Sequence, residues 1–165
     1  MKQVMKKMGV IGGLSWVSSA EYYRRLNEIT QERLGGVHSA RLVLESVERQ
    51  AYVDAVIRDR DEASACAQIL RAAQSIETAG ASFIVMSCND IHRFVPEIEP
   101  EIGIPFLHIA EATSRAIKEK DLTSVALLGV RKTMEEDFYP RIMSEHGIKT
   151  LIPDEHEKSY IHDKI

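Results

Sequence analysis

The sequence predicts an α/β fold with a mainly parallel sheet and helices on both faces. Short apolar runs typical of buried strands alternate with longer stretches in which apolar residues recur at helical spacing. Gly35 and Gly80 follow two of these stretches, at positions where a glycine readily ends a helix. An alternation of this kind favours parallel strands joined by helical crossovers.

The first half of the chain contains three predicted strands and two predicted helices. Val10 and Ile11 form the first strand, which ends at a glycine pair. Polar residues then lead into a periodic stretch that ends at a second glycine pair, so a helix is expected there. The predicted helices cover residues 18–34 and 61–79, and the next two strands cover residues 41–47 and 83–86.

The second half continues the same alternation. A short apolar segment at residues 104–107 leads into a helical pattern. A further apolar run stops at Gly129 before another helical pattern begins. The predicted helices cover residues 109–119 and 133–146, the predicted strands cover 125–128 and 149–152, and a last helix begins near residue 157.

Three prolines with acidic residues between them, at positions 96, 100 and 105, mark the predicted boundary between two lobes. We expect a first α/β lobe over residues 1–99 and the start of a second over residues 100–165. The second lobe would hold roughly 60 residues, which is too few to bury a normal sheet without help. The second lobe is therefore expected to be incomplete and the chain truncated.

Composition excludes several classes of function. The net charge of −4 is mild and dispersed, so neither nucleic acid nor an anionic membrane is an expected partner. The apolar stretch after Lys2, Lys6 and Lys7 is too short and too rich in glycine for a signal peptide. Two cysteines without zinc-type spacing favour a reducing compartment, the cytoplasm. Neither a metal-ligand cluster nor a nucleotide fingerprint is present, so no cofactor is expected.

Cys88 is the first candidate for chemistry. It stands where the apolar run of residues 83–86 gives way to polar groups, and ligands bind at the carboxyl ends of strands in open α/β sheets. A thiol there is a candidate nucleophile or base, although a buried cysteine is more often inert packing. His92, four residues later, either lowers the thiol pKa or packs the following helix.

Two glycine-containing turns are candidate anion sites. After the first strand, Gly12 and Gly13 permit a tight turn with main-chain N–H groups facing a bound carboxylate, with help from Ser15. A glycine pair after a strand is as often a plain turn. The second candidate follows Gly129, where Arg131 and its neighbours place positive charge beside N–H groups.

Five short segments spread over the chain carry a family resemblance. They are Gly12-Gly13-Leu14-Ser15-Trp16, Tyr22-Tyr23-Arg24, Cys88-Asn89-Asp90-Ile91-His92, Pro105-Phe106-Leu107-His108-Ile109-Ala110 and Gly129-Val130-Arg131-Lys132-Thr133-Met134. Together they resemble the aspartate/glutamate racemase family of cofactor-independent amino-acid racemases, nearest to its broad-specificity branch. The resemblance implies two similar α/β lobes, a dimer, and one catalytic residue from each lobe.

The resemblance also assigns roles. It implies that Cys88 is one of two cysteines that remove and return the Cα proton of an amino acid. It implies that Asn89 and Asp90 lie at the substrate, and that carboxylates are held by two turns, Gly13-Leu14-Ser15 and Arg131-Lys132-Thr133.

This chain departs from the family pattern in three places. The second cysteine of the family lies in a Gly-Cys-Thr-Glu-type segment beyond residue 165, and Cys66 cannot replace it from a helix of the first lobe. Asp90 and Val130 stand where the family usually has threonine, and a carboxylate at position 90 would raise the pKa of Cys88. Two alternatives follow, an inactive homologue that binds an amino acid or small carboxylate, and an assembly protein completed by another chain.

Overall fold

The structure is a computed structural model that describes residues 5–164, so Lys2 of the basic leader and the final residue Ile165 lie outside the described part. The chain divides into two compact units, Met1–Leu107 and His108–Ile165. The boundary predicted after residue 99 falls in the short 3₁₀ turn Glu99–Glu101, a little before this division. None of the described helices is long and apolar enough to cross a membrane.

The first unit contains a parallel sheet of three strands in the order β2-β1-β3. Its central strand pairs with both neighbours, and Val10 lies opposite Leu44 on one side and Val85 on the other. The α/β prediction is confirmed, and each of the three strands lies where the sequence predicts it. The elements are β1 (Met8–Gly12), α1 (Trp16–Leu34), β2 (Leu42–Ser46), α2 (Arg49–Val53), α3 (Glu62–Thr78), β3 (Phe83–Met86) and α4 (Val95–Ile98).

Strand β1 is covered by helices on both faces. Alternate side chains of a strand point to opposite faces, so residues 9 and 12 face different helices. A Cβ atom on Gly9 would overlap Ile76 of α3, and one on Gly12 would lie 2.6 Å from Ser19 Oγ of α1. The absence of side chains at these two glycines lets both helices approach the sheet closely.

The core of the first unit lies between the sheet and α3. Residues of β1, α3, β3 and the segment after β3 form one cluster, and Phe106 adds a parallel bridge to Ile84 at the edge of β3. The largest contributors are fully buried isoleucines, namely Ile11, Ile69, Ile76, Ile84, Ile91 and Ile98.

Over its described residues, 108–164, the second unit contains two parallel strands and four helices. Helices α5 and α7 pack together around a small core that includes Phe138, Ile142 and Ile148. The elements are α5 (Ile109–Lys118), β4 (Ser124–Ala126), α6 (Arg131–Glu135), α7 (Phe138–Glu145), β5 (Lys149–Leu151) and α8 (Glu155–His162).

The prediction of one helix over 133–146 is wrong. The structure has two helices, α6 and α7, with Glu136 in an extended conformation between them. Pro140 explains the break, because a proline cannot donate to the carbonyl four residues earlier and its ring clashes with it. A helix that starts at Phe138 instead places Pro140 in its first turn, where no such bond is needed.

The sequence analysis missed the short helical turns. A π-helix, Asp54–Arg58, continues α2, and a 3₁₀ turn, Asp90–Phe94, follows the candidate cysteine. Elements of five residues have too few turns to show a periodic pattern, so their sequences look like loops.

Candidate active site at the ends of two strands

The loops after β1 and β3 leave the sheet next to each other. The chain moves from β1 to β2 on one side and then crosses to β3 on the other, so the order reverses between β1 and β3. In open parallel sheets, ligands bind outside the carboxyl ends of the strands at such a reversal. The segments that begin at Gly13 and Ser87 are therefore the candidate site of the first unit.

Buried hydroxyl groups join the two loops. Ser19 Oγ of α1 accepts a hydrogen bond from the N–H of Gly13 (2.9 Å) and lies 3.1 Å from Ser87 Oγ. The hydroxyl of Ser87 also lies 3.4 Å from the carbonyl oxygen of Ile11. Ser19 and Ser87 are both less than 10% exposed, at 6% and 7%. This network fixes the start of α1 beside the residue that precedes Cys88.

The turn after β1 requires glycine at position 13. Gly13 has a φ of 91°, a region that residues with a side chain rarely adopt. A Cβ atom there would also overlap the carbonyl oxygen of Val47 and lie 2.6 Å from its nitrogen. The side chain of Leu14 turns into the core and is 7% exposed, so its main chain is the part available to a ligand.

Helix α1 begins at this turn. The side chain of Ser15 caps it by accepting from the N–H of Ser18 (3.3 Å), and the first turn of α1 has no acidic residue. A helix start without acidic residues keeps its partial positive charge available to an anion. The predicted carboxylate contacts at Gly13, Leu14 and Ser15 therefore lie at a helix N-terminus beside Ser87.

Cys88 is a half-buried free thiol directly after this junction. Burial raises its pKa, and the negative charge of Asp90 raises it further. Hydrogen bonds from the main-chain N–H groups of Asp90 and Ile91 lower the pKa, as does the positive charge of Arg49. The expected effect of Asp90 on the thiol is confirmed in direction, and burial is the larger cause.

Asp90 itself is held by two partners. Its carboxylate accepts from the hydroxyl of Tyr52 (2.6 Å) and from Nε of Arg93 (3.2 Å). Arg93 is thereby the cation that compensates the charge of Asp90. Asn89, the residue between the thiol and this carboxylate, is exposed.

His92 is buried and bonded to the main chain. The residue is 1% exposed, and its Nδ1 lies 2.9 Å from the main-chain oxygen of Cys88. Because a carbonyl oxygen can only accept, this nitrogen carries the proton and donates. Of the two roles considered for His92, the packing role has the support of these contacts. Cys66 lies on α3, in a helix of the first lobe as predicted, and packs against the core.

The candidate residues of the second unit begin α6. Arg131 pairs with Glu135 (2.7 Å) and Glu155 (3.2 Å), and the hydrogen bonds that it donates to these carboxylates raise its pKa. Lys132 lies 3.5 Å from Glu136, and Thr133 is 3% exposed. Their assignment to a substrate carboxylate stays a prediction.

Three residues near the thiol were not predicted as site residues. Arg49 begins α2. Burial raises the pKa of Tyr22 on α1, and the nearby charge of Cys88 raises it further. Tyr52 reaches Asp90 from a helix that the sequence analysis missed. Of these three residues, Arg49 alone could have been found from the sequence, because it is a cation just after the carboxyl end of β2, where ligands bind in such sheets.

Comparison with known proteins identifies the family. Residues 11–165 match the family described as Asp/Glu/Hydantoin racemase. The chain belongs to this family. The resemblance carried by the five segments is thereby confirmed.

A curated racemase matches most of the length of this chain. The chain is 25% identical over 150 residues to RacX of Bacillus subtilis, a broad specificity amino-acid racemase, and the match covers 89% of this chain and 64% of RacX. The chain therefore spans less than two thirds of the length of that curated relative.

Solved structures agree with the fold. A protein of Yersinia pestis assigned as an Asp/Glu racemase is 38% identical, with a TM-score of 0.89 over 96% of this chain and 69% of that one. An aspartate racemase homologue from Pyrococcus horikoshii OT3 is 27% identical, with a TM-score of 0.83 over 98% of this chain and 70% of that one. Within residues 5–164, no group of three or more histidine, cysteine or acidic side chains is placed to bind a metal ion.

Proposed function

We propose that this chain takes part in amino-acid racemisation, with Cys88 as the group that transfers a proton at Cα. The observation that carries the proposal is the position of Cys88, a free thiol at the reversal of strand order beside a helix start without acidic residues. Membership of the Asp/Glu/Hydantoin racemase family supports the same chemistry.

The thiolate of Cys88 acts as the base in this proposal. It takes the proton from Cα, an S–H bond forms, and the electron pair of the broken C–H bond is delocalised into the substrate carboxylate. Main-chain N–H groups of the turn at Gly13, Leu14 and Ser15 hold that carboxylate, where donors stabilise the growing negative charge. The electron pair stays on the substrate until Cα is reprotonated, so the step needs neither an oxidant nor a reductant.

The raised pKa of Cys88 sets the pH dependence. At neutral pH the thiol is mostly protonated, so the fraction of thiolate grows as pH rises toward and through its pKa. We expect the rate of proton abstraction to increase with pH in the same range. The reacting form needs a free thiol, which agrees with the predicted reducing compartment.

Inversion needs a second proton carrier on the opposite face of Cα. The other cysteine of this chain, Cys66, packs against the core from α3 and is not part of the loops after β1 and β3. The proposal therefore assigns proton transfer at one face to Cys88 and leaves the opposite face to a group outside these loops. Pairing of chains as a dimer stays a prediction.

The substrate class follows from the same loops. An α-amino acid offers the carboxylate for the helix start, and Asn89 is exposed beside the thiol for a polar contact. Without partners, the negative charge of Asp90 would repel an acidic side chain of the substrate. Because Tyr52 and Arg93 compensate that charge, we propose that aspartate and glutamate are among the substrates.

Chiral chromatography tests the proposal. Single enantiomers of aspartate, glutamate and a panel of neutral and basic amino acids are incubated with the wild-type chain, with Cys88→Ser and with Cys66→Ser as the matched control. We expect conversion of at least one amino acid by the wild type and by Cys66→Ser, and none by Cys88→Ser. Conversion that persists in Cys88→Ser would contradict the proposal. Saturable binding that survives Cys88→Ser without any conversion would favour the binding-protein alternative.

A further inference from the structure

Four side chains from three elements form a network next to Cys88. Asp90, at the start of the 3₁₀ turn, accepts from the hydroxyl of Tyr52 on α2 (2.6 Å). Its second carboxylate oxygen accepts from Nε of Arg93 (3.2 Å), and Nη1 of Arg93 pairs with Glu62 on α3 (2.6 Å). The turn after the thiol is thereby tied to two helices of the first unit.

Three of the four side chains are largely removed from solvent, whereas that of Glu62 is 43% exposed. The side chains of Arg93 and Asp90 are 9% and 17% exposed, and Tyr52 is 7% exposed. A buried ion pair stabilises a fold little, because desolvation offsets much of the attraction. Both carboxylate oxygens of Asp90 have partners within the chain, so this acid is oriented toward α2 and Arg93. These observations favour a role in holding the turn.

The turn that Asp90 anchors supplies the donors to the thiol. Asp90 and Ile91 begin the 3₁₀ turn just after Cys88, and hydrogen bonds from their main-chain N–H groups act to lower the pKa of the thiol. Their direction depends on how the first residues of the turn are held. The side chain of Asp90 is the anchor of those residues, and its own position is set by Tyr52 and Arg93.

We propose that Tyr52 and Arg93 are positioning residues, which hold Asp90 so that the N–H groups of the turn face the sulfur of Cys88. The inference rests on the proposed function only in that Cys88 is taken as the reacting group. Asp90 then supports the loop from the inside rather than contacting the substrate. The hydroxyl of Tyr52 is required for this role, whereas its ring serves the core.

The titratable and charged groups near the thiol come from three elements. Tyr22 approaches from α1, Arg49 from α2, and Asp90 from the turn itself. Tyr52 and Arg93 act on the thiol through Asp90. Removal of either partner leaves the negative charge of Asp90 less compensated and the N–H donors less well held. Both effects disfavour the thiolate and therefore raise the pKa of Cys88.

Alkylation of Cys88 by iodoacetamide as a function of pH tests the inference without any substrate. Arg71 separates the two cysteines into different tryptic peptides, so mass spectrometry follows Cys88 and Cys66 separately. We expect Tyr52→Phe and Arg93→Gln to slow alkylation of Cys88 near neutral pH by about threefold to tenfold, because a higher pKa of the thiol lowers the fraction of thiolate. At high pH the rates should converge. Tyr160→Phe, a tyrosine change on the exposed helix α8, is the matched control and should leave the profile unchanged.

Comparing single and double variants distinguishes a positioning role of Tyr52 from a general loss of structure around Cys88. If Tyr52 acts through Asp90, Tyr52→Phe should change the alkylation rate of an Asp90→Ala variant by less than about twofold. An equal effect in both backgrounds, an unchanged or faster rate in Tyr52→Phe, or a parallel increase in labelling of Cys66 would overturn the inference. Failure of the proposed function would instead appear as amino-acid conversion that does not need Cys88, with these alkylation results unaffected.

Discussion

At the scale of single residues, Gly13 is a position where a side chain is strongly disfavoured. Its φ of 91° and the close main chain of Val47 both oppose a side chain. We expect Gly13→Ala to lower the free energy of unfolding by about 2–5 kcal/mol. Gly35→Ala is the matched control, because Gly35 also has a positive φ but no atom within 4 Å of an added Cβ, so about 1–2 kcal/mol is expected there. Chemical denaturation of both variants measures the difference, and equal losses would contradict the steric argument.

The hydroxyl of Ser19 gives a second prediction at this scale. It accepts from Gly13 N–H and lies beside Ser87 Oγ, so Ser19→Ala leaves buried polar groups with fewer partners. We expect a loss of about 1–3 kcal/mol in unfolding free energy. Ser18→Ala, which removes a hydroxyl bonded to Ser15 at the same helix start, should cost about 0.5 kcal/mol. Urea titrations of the two variants decide the point, and a larger loss in Ser18→Ala would refute it.

The sequence located the central residues of the candidate site but missed their partners. Cys88 could be predicted because an apolar run ends there, and Gly13 and Ser15 could be predicted because they follow another such run. The contact between Tyr52 and Asp90 joins positions 38 residues apart, and one of them lies on a helix too short to show a period. Contacts between residues so far apart in the sequence are set by the packing of the fold, so the sequence pattern alone does not predict them.

At the scale of elements, β1 and α3 pack most closely at Gly9. An added Cβ there would overlap the side chain of Ile76, which is fully buried. Gly9→Ala should cost about 1–3 kcal/mol through overpacking, and Ile76→Ala about 2–5 kcal/mol through a cavity. Because the second change removes the atom that the first one meets, we expect the double variant to lose less than the sum by at least about 1 kcal/mol. Additive losses in denaturation would show that β1 and α3 do not meet at this pair.

Long elements were predicted well, and breaks inside them were not. Helices α1 and α3 carry several turns of apolar spacing and end beside glycines, so their bounds follow from the sequence. The break between α6 and α7 depends on Pro140, whose effect falls four residues upstream of the proline itself. Because the helical spacing of apolar residues continues across the break, the sequence pattern predicts one helix there.

At the scale of the whole molecule, the two units have cores of different size. The first core contains a fully buried set of isoleucines on the sheet and α3, whereas both end residues of β4 and of β5 are exposed. Amides protected by few buried contacts exchange with solvent through low-energy local openings. Native-state hydrogen exchange should therefore be faster in β4 and β5 than in β1 and β3. Equal protection in both sheets would contradict this difference.

Family membership and the position of the thiol lead to one central claim, that Cys88 transfers the Cα proton. The most direct test follows deuterium incorporation at Cα by NMR, with single enantiomers of aspartate and glutamate in heavy water. We expect incorporation with the wild-type chain and with Cys66→Ser, at a rate that rises with pH as the thiol of Cys88 ionises, and none with Cys88→Ser. Incorporation at the wild-type rate in Cys88→Ser, or none in any of the three proteins, would contradict the claim.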